Sequence, residues 1–200
     1  MKYLSASFCI TFFCFVLLTV SAQKNRQLSI AFVNTASAYP FAKFGSLVTN
    51  LQHPGIEIGY NFNWKTRDKH DWYQEIKTGY FYHRFVQHAI PLYTDFGYRY
   101  KFKKKWTAQV ALGAGYLHSL PAAGQFELNE NGTYKKKKSI GRIQAMAVAN
   151  LGIAYTITGK LPVKVFSTYQ QQIQMPFVKS YVPILPYNSL IVGVSIPCKF

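Results

Sequence analysis

The chain has 200 residues, the length of a single domain, and carries a formal net charge of +16 at pH 7. Aromatic residues make up 17% of the sequence, which is high for a soluble domain. After the first 22 residues no apolar run approaches the roughly 18 residues of a helical membrane span, so the sequence does not predict a helical membrane protein.

The N-terminal residues predict a signal peptide that is cleaved. Lys2 supplies a basic start, Phe8 to Val20 form an uncharged apolar run, and Val20-Ser21-Ala22 provides the small residues of a cleavage site. We therefore expect a signal peptide at 1–22 and one mature domain at 23–200. Export removes the chain from the cytoplasm, so nucleic acid is not an expected partner despite the positive charge.

The mature sequence alternates between apolar and polar residues. From Ile56 to Trp64 every second residue is large and apolar, and Leu190 to Phe200 repeats the pattern. A strand has this pattern when one face meets hydrocarbon and the other meets a polar interior. Eight such segments follow in chain order, at about 27–35, 56–64, 72–86, 90–102, 106–118, 140–157, 162–173 and 189–200.

The connections between these segments are predicted to be short on one side and long on the other, apart from a tight link near Gln87-His88. An even number of strands lets the first and last strands pair, with both termini on the side of the short turns. The predicted fold is therefore all-β, a closed eight-stranded antiparallel transmembrane β-barrel. The short turns are 65–71, 103–105 and 158–161, and the long loops are 36–55, 119–139 and 174–188.

Two groups of residues support this register. Trp64, Trp72 and Trp106 lie beside the short turns on the lipid-facing side, where an aromatic belt belongs. The glycines within the strands fall on the lumen-facing side, where a narrow barrel needs small residues beside larger ones. These glycines are Gly59, Gly79, Gly97, Gly113, Gly115, Gly152 and Gly193.

With its export signal, eight alternating segments and terminal Phe200, the chain resembles the small eight-stranded outer-membrane β-barrel superfamily that includes the OmpA transmembrane domain and OmpX. In that superfamily a C-terminal aromatic residue is read by the barrel-assembly machinery, so the resemblance implies this role for Phe200. The alternation and the export signal together predict the outer membrane of a Gram-negative bacterium, and we expect a monomer. The many tyrosines and long aromatic strands are similar to those of barrels from the Bacteroidetes.

Charged residues of both signs fall on the lumen-facing side. Eight strands leave just enough space for side chains, and a buried charge without a partner is unfavourable, so we expect ion pairs. If the third and fourth strands join through a turn near His88, Glu75 lies close to Lys101 and Lys77 lies close to Arg99. The alternatives are a network that plugs the barrel and an anion-selective path through it. The predicted lumenal charge network consists of Glu57, Glu75, Lys77, Asp95, Arg99, Lys101 and Arg142.

Four consecutive lysines follow the turn-like pair Asn131-Gly132 in a long loop. They form either a solvated, flexible run of charge or a contact with the phosphates of lipopolysaccharide, to which lysines are drawn by long-range attraction. Outer-membrane lipid and lipopolysaccharide are accordingly the expected partners. The candidate anion-contact residues are Lys135, Lys136, Lys137 and Lys138.

No arrangement of residues predicts catalysis, a cofactor or a metal site. His118 and Ser119 invite comparison with outer-membrane lipid A deacylases, but no acid is clearly placed to orient His118, and no ligands have zinc-type spacing. The sequence therefore favours a non-enzymatic barrel with a structural or surface-interaction role. The alternatives are an outer-leaflet lipid hydrolase of the lipid A deacylase type and a narrow solute or ion channel.

Overall fold

The structure is a computed structural model that describes residues 26–42, 44–84, 86–122, 125–128, 132, 134–137, 140–177 and 183–198. The predicted signal peptide, Lys138 and Phe200 lie outside the described residues. In chain order the elements are β1 (Arg26–Ser37), α1 (Phe44–Thr49), β2 (His53–Thr66), β3 (His70–His83), β4 (Gln87–Lys101), β5 (Trp106–Pro121), β6 (Gln125–Leu128), β7 (Tyr134–Lys137), β8 (Arg142–Ile157), β9 (Val163–Met175) and β10 (Leu185–Cys198).

Eight of these strands close into an antiparallel barrel, as predicted. Their order around the barrel is β1-β10-β9-β8-β5-β4-β3-β2, and β1 closes the ring by pairing with β10, from Arg26 opposite Cys198 to Ser37 opposite Tyr187. Short turns join the strands at one end, which we call the turn end, and most connections at the other end, the loop end, are longer. The turn end comprises 67–69, 102–105 and 158–162, and the loop end comprises 38–52, 84–86, 122–141 and 176–184.

The alternation places apolar side chains on the outside of the barrel and polar side chains on the inside. Ile58 and Leu112 point outward and are 46% and 68% exposed, whereas Glu57 and Asn150 lie on the opposite face and are buried. Successive side chains of a strand point to opposite faces, so one register fixes both sets. The predicted outward and inward faces are confirmed.

The tryptophans form an exposed aromatic belt near the turn end. Trp64, Trp72 and Trp106 all lie on the outer face, as an interfacial belt requires. A polar residue in this belt, Gln74, is satisfied by its neighbours: Trp64 Nε1 donates to Gln74 Oε1 at 3.2 Å, and Gln74 Nε2 donates to Thr94 Oγ1 at 2.9 Å. The belt thus places an outward amide at an interface without leaving it unpaired.

The strands extend further toward the loop end than the apolar pattern predicts. β2 begins at His53 and β10 at Leu185, whereas the alternation begins only at residues 56 and 189. Polar side chains continue the inner face in this region, where Thr35 Oγ1 and Ser189 Oγ share a hydrogen bond of 2.9 Å. Pairing here depends on polar contacts inside the barrel, which apolar periodicity does not reveal.

The first connection at the loop end contains the six-residue helix α1, which the sequence did not predict. Asn34 of β1 fixes it: its Nδ2 donates to the carbonyls of Leu47 and Asn50 at 2.8 Å, and its Oδ1 accepts from Gln52 N at 2.9 Å. Leu47 is the buried residue of the helix. Along the ranges that the structure describes, no helix has the length and apolar character needed to cross a membrane.

A second, two-stranded sheet stands at the loop end. β6 pairs with β7, from Gln125 opposite Lys137 to Leu128 opposite Tyr134, and Gly132 between them has a φ of 72°. Glycine adopts this left-handed conformation without steric penalty, which favours a turn at that position. Three of the four consecutive lysines therefore belong to strand β7 rather than to an irregular run.

Arginine introduced at the middle of a strand tests the lipid-facing register. Leu112→Arg is expected to lower the free energy of unfolding by about 2–4 kcal/mol, because Leu112 points outward from the middle of β5 and arginine is least favourable at the bilayer midplane. The matched control is Ile157→Arg at the turn-end limit of β8, with an expected loss of about 0–1 kcal/mol. Urea titrations in lipid vesicles measure both values, and equal losses would contradict the register.

Candidate functional site

One lysine and three carboxylates meet inside the barrel. Lys77 Nζ lies 3.1 Å from Asp95 Oδ2 and 3.6 Å from Glu75 Oε2, and Glu57 Oε1 lies 3.7 Å from the same nitrogen. All four side chains are at most 12% exposed. Because removing charge from water is unfavourable, such a group is stable only when its members pair with one another. We call these four residues the Lys77 cluster.

Each carboxylate of the Lys77 cluster also accepts a hydrogen bond from a neutral side chain. A single ammonium group cannot fully neutralise three carboxylates, so these additional donors help to satisfy the remaining oxygen atoms. The donors come from β1, β4 and β8, which ties two further strands, β1 and β8, to the cluster formed by β2, β3 and β4. The pairs are Tyr93 Oη with Glu57 at 2.5 Å, Asn150 Nδ2 with Asp95 at 2.7 Å, and Ser29 Oγ with Glu75 at 2.9 Å.

The pairing of these charges differs from the one expected from sequence. β3 and β4 join through residues 84–86, earlier than His88, so Glu75 lies opposite Asp95 and not beside Lys101. Lys101 instead binds Asp71 near the turn end, with 2.8 Å between Nζ and Oδ1. The expected contact between Glu75 and Lys101 is therefore wrong, because the position of the turn sets the register of every pair in the hairpin.

Arg142 is not part of the interior charge network, contrary to the prediction from sequence. It is exposed at the first position of β8, at the loop end. Its Nη1 donates to the carbonyl oxygen of Phe177 at 3.0 Å, and its guanidinium carbon lies 5.8 Å from the centre of the Phe177 ring. An inward parity at the very end of a strand places a side chain at the rim and not within the lumen.

Arg99 is buried nearer the turn end than expected. It lies opposite Asp71 and not beside Lys77. Its guanidinium carbon stands 4.2 Å from the centre of the Tyr73 ring, a cation–π contact, and its Nε donates to Gln109 Oε1 at 3.4 Å. The interior charges are thus divided between the Lys77 cluster and a separate position occupied by Arg99.

Gly97 makes the position of Arg99 possible. An ideal Cβ on Gly97 would lie 2.5 Å from Tyr73 Cζ, so the Tyr73 ring occupies the space that any other side chain would need. The ring in turn carries the Arg99 guanidinium on its face. The predicted role of the inward glycines, to make room for larger neighbours, is confirmed at this position.

A small polar cavity lies between the Lys77 cluster and the turn end; we call it the turn-side cavity. The space open to the centre of a water molecule is about 30 Å³, which is room for about two waters. Its walls include the side chains of Asn61, Arg99, Gln109 and Lys164. The part of the lumen near the turn end is therefore polar and not completely filled by side chains.

On the loop side of the Lys77 cluster, hydrogen-bonded amides fill the interior. Gln87 Nε2 donates to Gln174 Oε1 at 2.8 Å and to Tyr187 Oη at 3.1 Å, and Gln174 Nε2 donates to Gln144 Oε1 at 2.5 Å. Ser119 Oγ donates to Gln87 Oε1. These five residues, which we call the glutamine layer, are at most 2% exposed. A buried polar network that is satisfied in this way rigidifies the surrounding barrel.

Apolar periodicity does not predict the glutamine layer. A local signal was present, because Gln170, Gln172 and Gln174 have period-two spacing and so lie on one face of β9. The partners of Gln174 come from β4 and β8, which no local pattern connects to it.

An apolar cluster adjoins the glutamine layer and narrows the interior further. Beside it is a cavity of about 10 Å³, room for about one water, with Glu57 and Gln170 in its wall. This cavity and the turn-side cavity share no wall residue, so the two small spaces are separate. The members of the cluster, at most 4% exposed, are Phe81, Ala89, Tyr93, Leu117, Met146 and Val148.

His118 and Ser119 do not form a catalytic pair. His118 Nδ1 lies 2.8 Å from Tyr116 Oη, and its Nε2 lies 3.0 Å from the carbonyl oxygen of Ile140. Ser119 points to the opposite face, into the glutamine layer. Adjacent strand residues face opposite sides, so neighbours in the sequence cannot act together here.

A different serine–histidine contact lies at the loop end. Ser37 Oγ is 2.7 Å from His83 Nε2, and the His83 ring stacks on His53 with 3.6 Å between centroids. His83 Nδ1 is buried and has no hydrogen-bond partner in the described part of the chain, so the third group that orients a catalytic histidine is missing there. Among all the residues that the structure describes, no three His, Cys, Asp or Glu side chains are placed to hold a metal ion.

No protein-family model and no curated protein matches the sequence. Ail, the attachment invasion locus protein of Yersinia pestis, is similar in structure with 9% identity and a TM-score of 0.49, over 88% of this chain and 99% of Ail. Neisserial surface protein A is similar with 9% identity and a TM-score of 0.47, over 87% of this chain and 96% of its own. The outer-membrane enzyme PagL is similar with 11% identity and a TM-score of 0.45, over 86% of this chain and 99% of its own. These neighbours are small outer-membrane β-barrels, and the fold of this chain is established by its own strand pairing.

Removal of the central ammonium group tests the Lys77 cluster. Lys77→Met is expected to lower the free energy of unfolding by about 3–5 kcal/mol, because it leaves three buried carboxylates without a cation. Lys101→Met is the matched control: its side chain is 33% exposed and contacts one carboxylate, so the expected loss is smaller. Urea titrations in lipid vesicles measure both.

A double-mutant cycle separates this interaction from a general packing effect. Adding Asp95→Asn to Lys77→Met removes one of the stranded carboxylates and is expected to recover part of the lost stability. Zero coupling between Lys77 and each of its three carboxylates would show that the cluster does not stabilise the barrel.

Proposed function

We propose that this chain is a non-enzymatic outer-membrane β-barrel with a structural or surface-interaction role, carried by residues at its loop end. The observation that supports this proposal is the filled interior. The glutamine layer and the adjoining apolar cluster occupy the loop-side half of the lumen, which disfavours the alternative of a narrow solute or ion channel. The surface at the loop end therefore remains available for contact with other molecules.

The proposed location rests on the outer face and on the ends of the barrel. An apolar exterior with an aromatic belt suits lipid, and the signal peptide predicted at 1–22 provides export. Outer-membrane barrels have short periplasmic turns and long external loops, so the turn end faces the periplasm and the loop end faces the cell surface. We further propose that the barrel is a monomer and that Phe200 is read by the barrel-assembly machinery.

The loop end combines ordered aromatic residues with exposed positive charge. Tyr39 and Phe41 are 78% and 72% exposed, and Asn188 Nδ2 holds this segment by donating to the carbonyls of Tyr39 and Ala42 at 2.7 and 2.8 Å. Lys135 is exposed in β7. A preorganised surface loses less conformational freedom on binding, and lysines attract the fixed phosphates of lipopolysaccharide. Lipopolysaccharide is the partner that this combination favours.

Two triple variants of equal charge test this contact. Replacing Lys135, Lys136 and Lys137 by Gln is expected to weaken binding of lipopolysaccharide to the detergent-solubilised protein by about 100-fold, at roughly 1 kcal/mol per lysine near an anionic surface. The control replaces Lys103, Lys104 and Lys105 at the turn end, which removes the same charge from the opposite end.

The control variant is expected to bind as the wild type does, and wild-type binding is expected to fall with added salt because exposed charges are screened. Equal weakening by both variants would show that binding depends only on the net charge of the protein and not on the Lys135–Lys137 segment. Unchanged binding in the Lys135–Lys137 variant would remove lipopolysaccharide contact from the proposal.

The competing function is an outer-leaflet lipid hydrolase, and the acyl chains of lipid A distinguish it. Mass spectrometry of lipid A from cells that express the protein is expected to show no loss of an acyl chain. A chain that is lost with the wild type but kept with His118→Ala or Ser37→Ala would contradict the non-enzymatic assignment. The His118–Ser119 pair of the sequence and the Ser37–His83 contact of the structure are thus tested together.

A further inference from the structure

Two positive charges face the turn-side cavity. Arg99 is 6% exposed, and Lys164 Nζ donates to Gln27 Oε1 at 3.2 Å, a neutral partner. Within the residues that the structure describes, neither cation forms an ion pair with a carboxylate. Two like charges in one small cavity repel each other, and the repulsion is stronger where little water is present to screen it.

The carboxylates nearest to this cavity are engaged elsewhere. Asp71 lies opposite Arg99 in the β3–β4 ladder, but its Oδ1 binds Lys101 Nζ at 2.8 Å. Glu75 also lines the cavity, and its carboxylate contacts Lys77 Nζ at 3.6 Å and accepts from Ser29 Oγ. In the described part of the chain, neither carboxylate therefore makes a direct ion pair with Arg99 or Lys164.

Hydrogen-bond donors at the cavity also lack an acceptor. Arg99 Nη1 is buried without a hydrogen-bond partner in the described part of the chain, and the same holds for Asn61 Nδ2. Asn61 is only 2% exposed and lines the same cavity. Buried donors of this kind are nearly always paired with protein, water or an ion, so the site calls for an acceptor.

We propose that the turn-side cavity binds one anion of chloride size between Arg99 and Lys164. A water molecule could accept from Arg99 Nη1 and Asn61 Nδ2, but it would leave Arg99 and Lys164 without a negative charge in direct contact. An anion accepts from the same donors and offsets the repulsion between the two cations. The space open to the centre of a water molecule, about 30 Å³, has room for a monatomic ion in place of the waters.

This anion site is independent of the proposed function at the loop end. It lies near the opposite end of the barrel, and its role is to hold together a part of the lumen in which two cations would otherwise repel each other. Binding to the native state alone stabilises a protein in proportion to the logarithm of ligand concentration above the dissociation constant. Chloride is therefore a ligand whose effect can be read from unfolding equilibria.

The test compares sodium chloride with sodium gluconate at equal ionic strength, because gluconate is too large for the cavity. In lipid vesicles, the unfolding equilibrium constant of the wild type is expected to be lower in chloride, by about tenfold at a chloride concentration ten times the dissociation constant. Crystals soaked in bromide are expected to show an anomalous scattering peak between Arg99 and Lys164.

The variants Arg99→Gln and Lys164→Gln are each expected to lose the difference between the two salts and the bromide peak. Lys103→Gln removes one exposed lysine at the turn end without touching the cavity and is expected to keep both. Identical wild-type stability in chloride and gluconate would overturn the proposal. If Arg99→Gln does not fold, retention of the chloride effect by Lys164→Gln, at the half-buried side of the site, overturns it as well.

Discussion

Closure of the hydrogen-bonded ring is the constraint on which the rest of the structure depends. In hydrocarbon every backbone N–H and C=O must be paired within the protein, so a sheet that crosses a membrane can have no open edge. Here β1 pairs with β10 along all 12 of its residues and completes the ring. Eight strands then enclose a narrow interior, and the side chains inside it are forced into mutual contact.

The interior is organised along the barrel axis as a result. The Lys77 cluster occupies the centre, where ionic pairs and neutral donors together satisfy three carboxylates. Toward the turn end, Arg99 and Lys164 line a cavity that side chains leave open. Toward the loop end, the glutamine layer and the apolar cluster close the lumen with neutral groups. This closure favours a role carried by the loop end over transport through the barrel.

The sequence predicts the faces of the strands better than the contacts between them. Lipid on one side and a polar interior on the other impose period two on each strand by itself, so Glu75 and Lys101 are correctly placed inward. Their partners depend on the β3–β4 turn, and Arg84-Phe85-Val86 contains no glycine, proline or asparagine to mark it. The glutamine layer joins Gln87 to Gln174 across 87 residues, and local periodicity carries no information about such a contact.

Planar-bilayer recording of the purified, refolded barrel tests the closed interior most directly. A lumen filled by the glutamine layer and the apolar cluster predicts no stepwise ion conductance for the wild type. A double variant with Gln87→Ala and Gln174→Ala removes two members of the layer and serves as the opened control, with more current expected. Stable, stepwise conductance of the wild type at the level of the opened control would contradict a sealed barrel.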